Sequence, residues 1–122
     1  MRVLVQNGAQ HGLPRRTVES MVALFPASWS RAVKSIVLCA DAATEVHASF
    51  HPKEQSLSIY WPTPPAAPTK TEALDALLLS LAVVSETGAL PKHLTASSRA
   101  AYLEVISVVR AQCLPLLHGS VA

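Results

Sequence analysis

Histidine and cysteine are the residues from which this chain could most readily assemble a reactive centre. His47 and His51 are four positions apart, a spacing that on a helix turns two imidazoles onto one face for a zinc ion. Their neighbours argue for a strand instead, because Val46, Ala48 and Phe50 alternate with His47, Ser49 and His51. At ~3.3 Å per residue the two rings then stand about 13 Å apart, too far to share an ion whose nitrogen ligands lie near 2 Å. A metal site on this strand needs a ligand from elsewhere, His11, His93 or a carboxylate. The set His47, His51 and His93 is the one on which a metal-dependent hydrolase would rest. His118, close to the end of the chain, adds little.

Cys39 beside His47 or His51 of a following strand is the one thiolate–imidazole pair on offer, and such a pair activates sulfur by stabilising its anion. Cys39 and Cys113 both sit among apolar residues, far apart and without any C-x-x-C, so they read as buried reduced thiols. Glu72 and Asp75 fall in the first turns of a predicted helix, where capping and the helix dipole account for them. Asp41 and Glu45 flank a predicted loop and are assigned no role. The chain has no G-x-S-x-G elbow, no G-x-G-x-x-G and no Walker loop. No catalytic set and no cofactor are expected.

The elements that would position these residues can be read from periodicity and turn chemistry. Arg2 to Gln6 predicts a short strand before the Asn7-Gly8 turn. Val18, Met21, Val22 and Phe25 recur at helical spacing after Pro14 and stop at Pro26. Ser35 to Ala40 predicts a buried strand, and Val46 to His51 and Leu57 to Trp61 a hairpin with one wet face. The prolines between Pro62 and Pro68 form a stiff extended link. Thr69-Lys70-Thr71-Glu72 matches a capping box, opening a helix that is apolar nearly all round and stops at Gly88. A last helix is expected over Ser97 to Leu114, with Ala100, Leu103, Ile106, Val109 and Cys113 on the core face, Glu104, Ser107 and Arg110 on the wetter one, and Pro115 as its end. The order β-α-β-β-β-α-α predicts one α+β domain over residues 1–122, a small mixed sheet packed against helices.

Composition narrows the partners. Half of the 122 residues are apolar and 15% charged, so the chain should fold around a single core. The longest apolar stretch, Ala76 to Val84, is broken by Ser80 and is too short to span a bilayer. The N-terminal residues show no secretory pattern, which predicts a cytoplasmic location. A net charge of +2 with scattered basic residues points away from nucleic acid; binding through Arg15, Arg16, Arg31 and Lys34 would show as affinity that collapses with salt.

The segment from Glu45 to His93 resembles the minimal core of zincin-type metallopeptidases: an edge hairpin, an extended link and a long capped helix. Leu77-Leu78-Leu79-Ser80-Leu81-Ala82-Val83-Val84, followed by Glu86-Thr87-Gly88, is similar to the zincin helix L-L-H-E-L-A-H and its downstream glycine. On that pattern Leu79 and Val83 stand where two zinc-binding histidines would be, and Ser80 where the water-activating glutamate would be. The resemblance therefore implies a zincin-like fold without its chemistry. The resulting expectation is a non-catalytic module that binds, and by occupancy inhibits, a protein partner, with Trp29, Tyr60 and Trp61 as anchors. Inhibitors carried by phages and other mobile elements, anti-CRISPR proteins among them, share this small cofactor-free build.

Overall fold

The computed structural model describes residues 1–6, 11–42, 44–64, 66, 68–92 and 94–117. Its elements run β1 (Arg2–Val5), α1 (Arg15–Val22), α2 (Ala27–Ala32), β2 (Ser35–Asp41), β3 (His47–His51), β4 (Ser56–Pro62), α3 (Lys70–Thr87) and α4 (Ala96–Leu117). The class is α+β, as expected, with one helix more than the sequence suggested. Pro26 interrupts helical hydrogen bonding after α1, but a proline lacks only an N–H that a helix start leaves unpaired anyway, and here it caps α2. Phe25, predicted on the face of a single helix, lies between the two and is still buried.

The sheet order is β1-β2-β4-β3. β1, β2 and β4 are parallel neighbours, while β3 pairs antiparallel with β4 alone and forms an edge. The tight turn from His51 to Ser56 closes the hairpin through Gln55, whose φ of 51° is unusual for a side-chain-bearing residue. Hydrogen bonds from its side chain to the Arg31 and Ala32 carbonyls, and from the Lys34 N–H to its own carbonyl, tie the turn to the end of α2.

Strand alternation sorts the sheet into two faces. Val3, Ile36, Leu38, Leu57 and Ile59 are buried in the core, with Ala48, Phe50 and Trp61 packed against it. The other face carries Leu4, Val37, Cys39, Ser58, Tyr60, His47 and Ser49. α3 lies against β3, β4, α2 and α4, which explains its continuous burial from Leu77 through Val84. Its ends follow the predicted chemistry: the Thr69 hydroxyl accepts from the Glu72 N–H at 3.1 Å, and Gly88 takes the left-handed conformation at φ 77°.

α4 departs from expectation in three ways. Pro115 does not end it; the helix continues to Leu117, whose burial helps hold the last turn. Arg110 is not simply wet but donates from Nε to Asp75 Oδ1 of α3 at 2.6 Å, so Asp75 fastens two helices together rather than merely complementing a helix dipole. Finally, only Ile106, Val109, Cys113 and Leu117 are buried, while Leu103 is 38%, Val105 66% and Val108 67% exposed. With a mean hydropathy of 1.4, α4 is the one described helix long and apolar enough to cross a bilayer by length and composition, which the longest apolar stretch, in α3, did not reveal.

Candidate binding cleft beside the edge strand

The strand order separates most of the groups that the sequence offered as partners. Cys39 and His47 lie on the same cross-strand row, but β4 intervenes and puts Tyr60 between them. Two inter-strand steps make about 10 Å, so no thiolate–imidazole pair forms. Burial pushes the Cys39 thiol above its ordinary range; a hydrogen bond with Ser58 opposes this and the Asp41 charge adds to it. Cys113, in the core, is pushed up to about 11 by burial. Both cysteines are therefore unreactive thiols near neutral pH.

His47 and His51 stand at opposite ends of β3. His47 stacks flat on Tyr60 at 4.6 Å between ring centroids, and its Nε2 meets Asp41 Oδ2 at 3.2 Å, closing the loop between β2 and β3. His93, the third member of the alternative metal set, and His118 lie outside the described residues. Among the described residues no group of three or more His, Cys, Asp or Glu side chains could hold a metal ion.

The three aromatic anchors do not share a surface. Trp29 is buried in α2 with its ring 5.2 Å from Phe25, because its spacing in a short helix turns it inward. Tyr60 and Trp61 are consecutive strand residues and so point to opposite faces. Trp61 covers Gly12 and meets the His11 ring at 5.3 Å. Of the basic residues considered for nucleic acid, Arg15 pairs with Glu19 at 3.8 Å.

His11 is a fixed neutral imidazole. Its Nδ1 accepts from the Leu13 N–H at 3.0 Å, which leaves the proton on Nε2 to donate to the Ile59 carbonyl at 3.1 Å. Burial lowers its pKa, and the bond to Ile59 raises it less. Above about pH 6.5 His11 is neutral both folded and unfolded. Below it the unfolded chain binds the proton first, so stability falls as the pH drops toward the depressed folded value. Urea titrations at pH 7.5 and 5.5 should therefore show wild type losing more stability than His11→Asn, which keeps an acceptor for Leu13 but does not titrate. Equal losses would show that His11 is not responsible.

The structure opens a cleft of about 340 Å³ between β1 and α1 and another, of about 270 Å³ and with more polar lining, beside β3. Val46 and Ala48 of the edge form one wall, Ala76, Leu79 and Ser80 of α3 the floor, and Leu90, Pro91, Lys92 and Leu94 with Arg99 the far side. Of the three positions compared in sequence with zincin ligands, Leu79 and Ser80 line this cleft and Val83 does not; Leu79 and Val83 are buried, and the Ser80 hydroxyl donates to the Ala76 carbonyl at 2.6 Å. An aliphatic side chain has no lone pair for a metal, and a hydroxyl spent on its own helix is a poor base. Sequence periodicity marked Leu79 and Val83 as apolar, but nothing local could show that α3 would lie beside an open strand edge.

The chain matches no family model, no curated protein and no solved structure.

Proposed function

We propose that this protein is a non-catalytic protein-binding module that takes up an extended segment of a partner along the outer edge of β3, with side chains of that segment in the adjoining cleft. The observation that carries this reading is the open edge itself. β3 is one of the two terminal strands of the sheet, the one beside this cleft, and the sequence His47-Ala48-Ser49-Phe50-His51 contains none of the lysines or prolines that commonly blunt an edge. Main-chain pairing to such an edge supplies affinity, and the neighbouring cleft supplies selectivity. The aliphatic floor at Leu79 and the edge-hairpin, link and helix order support a zincin-like ancestry in which binding outlived hydrolysis. A module of this kind acts by occupancy, so inhibition of the partner is its expected output.

The test uses ¹⁵N-labelled protein and nine-residue peptides selected on it from a randomised library. A bound peptide is expected to shift the amides of His47 to His51 together with Leu79 and Ser80. Ala76→Lys, which fills the cleft at modest cost to helix propensity, should weaken binding about tenfold, or ~1.4 kcal/mol. Peptides that shift only other regions, or near-stoichiometric zinc lost in a His47→Ala, His51→Ala variant, would overturn the proposal.

A further inference from the structure

Resting on that reading, we infer that the segment bound beside β3 carries a carboxylate, held at the α4 end of the cleft by Lys92 and Arg99. Both residues line the cleft and are exposed. The ion pairs among the described residues are Arg15–Glu19, His47–Asp41 and Arg110–Asp75, and none of them engages Lys92 or Arg99. Against these two cations the described lining sets one acidic side chain, Glu45, on the strand side. The far side of the cleft is therefore the cationic one.

The backbone adds to the same field. Leu94 and Arg99 bracket the start of α4, and both line the cleft. α4 begins on a cap in which the Thr95 hydroxyl accepts from the Ser98 N–H at 3.1 Å, and the positive end of this 22-residue helix lies in the chain between these two lining residues. Between this end and the strand lie Ala48, Ala76, Leu79 and Leu90, with Ser80, whose hydroxyl is spent on the Ala76 carbonyl. The occupant that fits both features is an extended peptide with an apolar side chain over Leu79 and an Asp, a Glu or its own C-terminal carboxylate beyond it. Glu45 disfavours a second acid at the strand side, giving the segment a direction as well as a charge.

The experiment compares peptides chosen from the randomised library with their Asp→Asn or Glu→Gln versions, against wild type and the Lys92→Glu, Arg99→Glu double variant. Acidic residues should be enriched at one position. Neutralising that position should weaken binding five- to tenfold, the loss should shrink in 0.5 M salt, and the double variant should lose the preference while keeping its thermal midpoint. A peptide ending in a free carboxylate, compared with its amide, separates a terminal acid from a side-chain one. Peptides that shift the β3 amides but show no acid enrichment and tolerate the double variant within twofold would overturn the charge assignment alone. Failure of every selected peptide to shift β3 would remove the underlying reading instead.

Discussion

Shortening Leu78 to alanine is expected to lower unfolding free energy by about 3 kcal/mol, whereas Val108→Ala should raise it by a few tenths. The two helices concerned are both rich in apolar residues and differ in what surrounds them. α3 is enclosed by the sheet on one side and α4 on the other, and Leu78 is fully buried. Truncation there loses transfer free energy and leaves a cavity that rigid neighbours fill only in part. Val108 is 67% exposed, so alanine gives up little burial and gains helix propensity. Urea denaturation at neutral pH, with the m-value unchanged, measures both. A loss of more than 1 kcal/mol at Val108 would mean that α4 is covered in solution. For a domain with a typical total of 5–15 kcal/mol, the Leu78 effect is large.

Gly12→Ala should destabilise by about 2–3 kcal/mol although it adds a single methyl. A Cβ at this position falls on the six-membered ring of Trp61, well inside van der Waals contact. The ring cannot retreat freely, because His11 flanks it and it packs against the core. Its displacement would also disturb the His11 bridge between the Leu13 N–H and the Ile59 carbonyl. Combining Gly12→Ala with Trp61→Leu removes the collision, so the double variant should be more stable than the sum of the single effects predicts by at least 1 kcal/mol. Strict additivity would show that the loop moves instead. The glycine is needed for close approach; its backbone conformation is one that alanine adopts.

Both predictions concern positions whose identity was plain and whose surroundings were not. The strand alternation of Val46 to His51, the capping box at Thr69 and the stop at Gly88 were readable because each depends on residues within one or two turns of chain. Trp29 was read as a surface anchor because a large aromatic serves a core or an interface equally well until its neighbours are known. Asp75 was explained locally, and the 35-residue separation from Arg110 hid its partner.

The sequence by itself determined an α+β domain, the kinds of side chain on each strand face, and the absence of histidine and glutamate between Leu77 and Val84. Tertiary structure alone decided that β4 enters between β2 and β3, which parts Cys39 from His47, leaves β3 as an open edge and sets Leu79 beside it. It also decided that α3 is enclosed while α4 leaves Leu103, Val105, Val108 and Leu116 exposed. The physical reason is range. Hydrogen bonding within a helix and alternation along a strand are settled by adjacent residues, whereas strand order and coverage depend on which distant surfaces bury the most area together.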